Sequence, residues 1–280
     1  MATLKPFRGL RPSRELAEKV AAPPYDVLSS DEARQMAQGN PVSFLHVNKP
    51  EIDLDPAIDV HDDRVYAKGR ENLEAFKRDG VLSQDEKPHY YVYRQVMGEH
   101  VQTGLVAVAS VEEYEQNLIK KHEFTRPEKE DDRVKHMDVV NAQVGPVFLT
   151  FEAEASIDAM LTEITEQEAE YDFILNDGIR HVLWLVDDAE KISAIEKAFY
   201  RIPCLYVADG HHRSAAATRV RNMRQQANSG HQGDEAYNFF LVVVFPHDQM
   251  QILDYNRAVT DLNGLSEEAF LEAVESKFEI

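Results

Sequence analysis

The sequence predicts an α+β domain built on a mixed sheet with flanking helices. Three observations predict it. Helical and strand-like segments follow one another in mixed order along the 280 residues, with no internal repeat and no low-complexity tract. Tyr90–Val96 and Val101–Val108 flank a short turn containing Gly98, which is the pattern of an antiparallel hairpin. Finally, the apolar run Leu205-Tyr206-Val207-Ala208 passes through Asp209-Gly210-His211-His212-Arg213 into Ser214–Arg221, a helix-forming stretch. That is a strand, a tight turn and a helix start.

Taken in order, Pro23-Pro24 marks an irregular segment, and Ser30–Gln38 suits a helix that Gly39-Asn40-Pro41 stops. Ser43–Asn48 reads as a strand. Residues 57–79 suit an amphipathic helix, with Val65, Gly69, Leu73 and Phe76 on one stripe and Gly80 closing it. The hairpin follows, and with the region around it forms an elaboration of the sheet. Residues 147–152 read as a strand, 156–168 as a helix, His181–Val186 as a strand and 188–199 as a helix through Ile192, Ile195 and Phe199. The polar, glycine-containing stretch 226–236 is expected to be a mobile loop, and 238–245 and 249–254 to be strands. Ser266 reads as the cap of a helix carrying Phe270, Leu271 and Val274, after which Lys277–Ile280 resembles the start of a strand with nothing to pair onto. The expected organisation is one domain over residues 1–264. Residues 265–280 then open a C-terminal region that this chain lacks.

Composition narrows the function. Hydrophobic content of 43% and charged content of 29% are those of a soluble globular protein. A formal net charge of −20 argues against coating DNA or RNA, whose phosphates are bound by an excess of Lys and Arg. It leaves room for a small anion held by a few focused groups. One cysteine, Cys204, excludes an intrachain disulfide framework and suggests a reducing compartment. Following Ile202-Pro203 and preceding an apolar strand, it reads as a buried structural thiol. The first residues lack the apolar core of a signal peptide, and the longest apolar run, Phe239–Phe245, is far short of a membrane span. A cytoplasmic protein that engages neither membrane nor nucleic acid is expected.

The turn at 209–213 is the densest chemical signal. Unpaired N–H groups at a helix start, reinforced by Arg213 and two imidazoles, make a seat for an anion such as phosphate, and Asp209 adds a base or metal ligand. A plain turn with solvated histidines is the alternative. The second cluster runs from Lys120 to Arg133. Pro127 is expected to interrupt any helix through it. Lys121, His122, Thr125 and Arg126 there supply phosphate-compatible donors beside one carboxylate, Glu123. Phosphoryl transfer uses that mixture: cations for the phosphoryl oxygens and a carboxylate for the proton of the attacking hydroxyl. Ala22–Val27 is a third segment, in which two prolines fix the backbone that presents Tyr25 and Asp26, for a site or for an ordinary packed loop. Arg257, in Leu253–Arg257, is a phosphate clamp or an ion-pair partner, and spacing does not decide. Walker, dinucleotide, kinase and nucleophile-elbow signatures are absent. A zinc site from His211, His212 and Cys204 lacks the usual ligand spacing, whereas Mg²⁺ could lean on carboxylates and on the phosphates themselves.

The segments Ala-Pro-Pro-Tyr-Asp-Val, Lys-His-Glu-x-Thr with a downstream Asp-Arg, and Ala-Asp-Gly-His-His-Arg together resemble a bacterial and archaeal family catalogued as a domain of unknown function. The resemblance extends from Pro6-Phe7 to Asn256-Arg257. That family is similar to the ParB/sulfiredoxin-like superfamily, in which a Gly-x-His-Arg turn at a helix start binds nucleotide phosphates. The correspondence falls on Gly210, His211, His212 and Arg213. Free serine kinases of the superfamily phosphorylate L-serine with ADP or ATP. Sulfiredoxins carry a reactive Cys where this chain has His211, so their chemistry is not expected, and the negative charge speaks against a DNA-binding ParB role.

The resemblance implies a ParB/sulfiredoxin-like fold and a nucleotide-dependent phosphotransferase acting on a small hydroxyl compound, with free L-serine the best single guess and Mg²⁺ as the accompanying ion. In that reading Gly210, His212 and Arg213 hold the nucleotide phosphates, with Arg257 a further clamp. His211, Lys121, His122, Thr125 and Arg126 surround the transferring group. Glu123 or Asp209 is the base, and Tyr25 and Asp26 face the substrate. A non-catalytic nucleotide sensor and a nucleotide or phosphoester hydrolase are the alternatives. The partners expected are nucleotide and small-molecule substrate, with a homodimer as the assembly to look for.

Overall fold

A computed structural model describes residues 3–254, 256 and 258–279. By contacts it divides into two units, meeting in the sequence between Met250 and Gln251. In chain order the first unit carries β1 (Leu4–Lys5), β2 (Leu10–Pro12), α1 (Ala17–Val20), α2 (Ser30–Ala37), α3 (Leu45–Asn48), α4 (Asp63–Arg78), β3 (Leu82–Gln84), β4 (Tyr90–Met97), β5 (His100–Ser110), α5 (Val111–Glu115) and β6 (Ile119–Lys120). It continues with α6 (Pro127–Val140), β7 (Val147–Phe151), α7 (Ala155–Thr165), β8 (Tyr171–Ile174), β9 (Arg180–Val186), α8 (Ala189–Phe199), β10 (Leu205–Asp209), α9 (His211–Ala227) and β11 (Phe239–Pro246). The second unit holds α10 (Glu267–Glu275), capped by Ser266, whose hydroxyl accepts from the Ala269 N–H. Arg257 lies outside the described residues.

The main sheet is mixed, as the sequence predicts. Its order is β6-β10-β7-β11-β5-β4-β9-β8, with β1 added to β5; β6 with β10 and β7 with β11 run parallel, and the other pairs antiparallel. Alternation along the strands gives each face its own role. One face carries Val92, Leu105, Leu149, Trp184, Val242 and Val244 and is sealed by Ile157, Leu161 and Ile164 of α7 and Ile195 and Phe199 of α8. That is the principal core. The opposite face carries Tyr93, Gln95, Phe148, His181 and Phe245, which line a cavity of about 870 Å³ instead. Gly104 shapes its floor: a Cβ there would stand 2.5 Å from the Val244 carbonyl oxygen and 2.7 Å from the Phe245 ring. A larger residue would lift that ring.

Helices close the cavity side. α6 packs on α4 through Val140, Leu73 and Phe76, and on α9 through Val134, Ala216 and Val220. The ion pairs across α6 and α9 advance together, Glu130 and Asp131 with Arg219, then Asp138 with Arg224. The two helices therefore run parallel, and their N-termini reach the same end. Buried His136 of α6 donates from Nε2 to the Val47 carbonyl of α3 at 2.9 Å, fixing the N-terminal helices to this layer.

Several expectations are corrected. Ser43–Asn48 is not a strand. Leu45 and Val47 are fully buried, but in a helical turn wedged between α2 and α4, and a short apolar run of this kind fits either structure. The helix expected over 57–79 begins at Asp63, where Asp62 accepts from the Arg64 N–H; Val65, Gly69, Leu73 and Phe76 are all buried on it. No strand forms over 249–254. Pro246, lacking an N–H, ends β11, a 3₁₀ turn follows at His247–Gln249, and the Gln249 side chain accepts from the Thr103 N–H. Pro127 does not interrupt a helix but starts one, as the first residue of α6, where its missing N–H would be unpaired anyway. Cys204 is half-buried rather than buried. Lys277 and Phe278 turn back onto the Val274 carbonyl instead of opening a strand. Short strands at β1, β2, β3, β6 and β8 escape the sequence reading, being held by sheet partners and not by their own patterns.

Burial depresses the His136 pKa to about 4. A pKa below the unfolded value means that stability is fully present above about pH 6.5 and is lost as pH falls toward 4. The expected loss is on the order of 3 kcal/mol across that window. Urea titrations at pH 7 and pH 4.5 should show it, and His136→Gln should flatten the dependence; an identical slope in that variant would contradict the assignment.

Candidate functional site

The sheet hands the chain to the site at β10. Asp209 ends the strand, Gly210 turns at φ 95°, and the Ser214 N–H is bonded to the Gly210 carbonyl at 3.0 Å. The helix thus begins at His211, three residues earlier than the Ser214 start expected, and the amides of His211, His212 and Arg213 precede its hydrogen-bond ladder. Gly210 is needed twice. Its φ is one that L side chains rarely adopt, and an added Cβ would lie 3.2 Å from the Cα of Val147.

The first turn of α9 then divides the chemistry. His211 and Arg213 are two positions apart, about 200° around a helix, so they leave it on opposite sides. Arg213 goes to the mouth of the 870 Å³ cavity, which its side chain and Asp209 help to line. There its Nη2 donates to Asp209 at 3.1 Å and to Asp26 at 3.4 Å, and Nη1 donates to the Pro146 carbonyl at 2.5 Å. The Tyr25 ring stands between two cations, 3.8 Å from the Arg133 guanidinium and 5.9 Å from that of Arg213. Burial raises the Tyr25 pKa, which keeps the phenol protonated. Both cations at the mouth are thus matched by carboxylates, Arg213 by Asp209 and Asp26 and Arg133 by Asp132. Inside it the wall turns apolar, with the Phe148 and Phe245 rings edge to face at 4.8 Å, and it ends on His181, whose Nδ1 meets the Tyr93 hydroxyl at 2.6 Å.

His211 goes the other way. It is 4% exposed; its ring meets that of His122 edge-on at 4.5 Å, and its Nδ1 lies 3.6 Å from Glu123. His211 Nε2 is buried with no hydrogen-bond partner. Burial, helped by His122, lowers its pKa and keeps the ring neutral. Lys121, Thr125 and Arg126 of the same loop are tied to neighbouring elements. Lys121 sits over the Tyr114 ring at 3.9 Å, Thr125 donates to Glu130 at 2.7 Å, and the Arg126 N–H donates to His212 Nε2 at 3.1 Å. That last bond ties the start of α6 to the start of α9.

The three segments singled out in the sequence therefore do meet around one helix terminus, but as two half-sites instead of one. The zinc set of His211, His212 and Cys204 is not assembled: His212 is held by Arg126, and the partners of His211 are His122 and Glu123. Sequence reasoning placed Arg133 in the second cluster without giving it a role, and missed Tyr93, Gln95 and His181. Polar Gln95 and His181, which share a face with Tyr93, were the available signal, since a fully packed face would not carry them.

A family model described as a protein of unknown function (DUF1015) matches residues 4–280. No curated protein and no solved structure matches the chain. No helix among the described residues is long and apolar enough to cross a membrane.

Gly210→Ala should lower stability by about 1–2 kcal/mol, the usual price of a left-handed backbone for an L residue. The shift is read from the midpoint of chemical denaturation, and an unchanged midpoint would mean that the turn can relax.

Proposed function

The chain belongs to the DUF1015 family, and for it we propose a nucleotide-dependent phosphotransferase that acts on a small zwitterionic hydroxyl compound, free L-serine fitting best. The observation that carries this reading is the charge pairing at the cavity mouth: Arg213 with Asp26 and Asp209, and Arg133, over the Tyr25 ring, with Asp132. An amino acid needs both signs, cations for its carboxylate and carboxylates for its ammonium. The adjoining cavity, about 870 Å³, falls in the range of about 300–1,000 Å³ usual for ligand pockets, and its apolar wall suits a nucleotide base. The ATP or ADP phosphates sit at the start of α9, where the amides of His211, His212 and Arg213 face out and where α6 brings a second helix N-terminus.

Asp26 and Asp209 have the oxygen chemistry that Mg²⁺ prefers, and such an ion, when bound with the phosphates, would offset charge on the transferring group. The side chains do the rest. Arg213 orients the phosphates through its remaining N–H groups, the guanidinium itself being held in place by its bonds to Asp209, Asp26 and the Pro146 carbonyl. Tyr25, kept neutral, closes the mouth without adding charge. The acceptor hydroxyl gives its proton to Asp209 or Glu123 as its oxygen bonds to the terminal phosphorus, and the shortened nucleotide leaves with the bridging oxygen.

Incubation with Mg²⁺, ATP or ADP, and L-serine, followed by phosphorus NMR, should give O-phosphoserine. Free phosphate without serine would make the protein a hydrolase, and tight nucleotide binding with no product would make it a sensor. No thermal shift with any nucleotide would exclude all three. Arg213→Ala should weaken nucleotide binding about 10- to 100-fold, as expected for charge-assisted hydrogen bonds. Of Asp209→Asn and Glu123→Gln, the one that removes the base should reduce turnover roughly a hundredfold with nucleotide binding retained.

A further inference from the structure

We infer that His122, Glu123 and His211 form a binding site for a divalent first-row transition ion, on the flank of α9 opposite Arg213. The three come from two segments, the loop after β6 and the start of α9, and one ligand atom from each lies within 4.8 Å of the others. The second observation is the state of His211. Its side chain is 96% buried, its Nε2 has no hydrogen-bond partner, and its Nδ1 stands 3.6 Å from Glu123, beyond hydrogen-bond reach. Buried polar nitrogens are almost always satisfied, so an imidazole left in this condition calls for a ligand.

The donor set decides what that ligand is. Two imidazoles and one carboxylate suit Zn²⁺, Mn²⁺, Fe²⁺ or Co²⁺, whereas Mg²⁺ and Ca²⁺ take oxygen. Three protein ligands also leave coordination positions open, as in catalytic rather than structural sites. Ligand atoms bound to one ion at about 2.0–2.2 Å lie closer together than 4.8 Å. His122 and Glu123 are exposed on their loop and His211 is fixed in the helix, so the loop is the part that closes. Nearby hydrogen bonds restrain that loop without using these three side chains: Thr125 is held by Glu130, and the Arg126 amide by His212.

This site stands apart from the phosphotransfer reading and does not require it. If both hold, Glu123 is a ligand, and Asp209 is left as the carboxylate that takes the substrate proton.

The test uses the whole chain stripped of metal and no nucleotide, so its outcome does not depend on any activity. Co²⁺ is titrated in and its visible absorption followed, with Zn²⁺ binding measured by calorimetry. One equivalent should bind with micromolar or tighter affinity, and tenfold excess Mg²⁺ should not displace it. His122→Ala and Glu123→Gln should each weaken binding about tenfold or more. Both side chains are exposed, so the circular dichroism of either variant should match the parent. His231→Ala, at a histidine on another loop, should leave binding unchanged. Absence of stoichiometric binding, full affinity in both His122→Ala and Glu123→Gln, or displacement by Mg²⁺ would each overturn the assignment.

Discussion

The parallel packing of α6 on α9 is the constraint on which the rest depends. Two helices that run side by side in the same sense bring two N-termini, and therefore two sets of unpaired amides, to one end of the molecule. The Arg126 amide bond to His212 pins those ends together, and the Glu130, Asp131 and Asp138 pairs with Arg219 and Arg224 keep the register down the helices. Exposed ion pairs contribute little each. The shared apolar seam of Val134, Ala216 and Val220 carries more of the stability, and the charges select the parallel alignment. Were α6 reversed, the 121–126 loop would lie at the far end of α9, and the half-site at His211 would not exist.

A second level of order comes from the strand–turn–helix passage at β10. A tight turn leaves no slack, so His211 and Arg213 must part to opposite sides of the first helical turn. One enters a buried, nitrogen-rich corner and the other a cavity mouth of mixed charge. The sheet below supports this division: one face is closed by α7 and α8, and the other is held open by Gly104 and the Phe148–Phe245 pair.

Much of this was legible in the sequence because the informative residues are local. The hairpin, the stripe Val65–Gly69–Leu73–Phe76, and the strand that ends at Asp209 each announce themselves within one element. The same holds for Gly210, whose place between an apolar run and a helix former implies its turn. What could not be read is pairing across distance. Nothing near His211 says that its neighbour is His122 and not His212, because adjacent residues diverge on a helix. Nothing near Tyr25 says that it stands between Arg133 and Arg213. The misreadings at Ser43–Asn48 and at Pro127 have a common origin: apolar alternation and a lone proline each fit two structures, and tertiary packing selects between them.

The bond from Arg126 to His212 spans 86 residues of sequence. Contacts of that separation close late, because the chain must surrender loop entropy before they stabilise anything. The β6 strand, the 121–126 loop and α6 are thus expected to dock onto β10 and α9 near the end of folding. The half-site of His122, Glu123 and His211 comes into being in that event, whereas the Arg213 half-site also waits for Asp26, 187 residues away in the sequence.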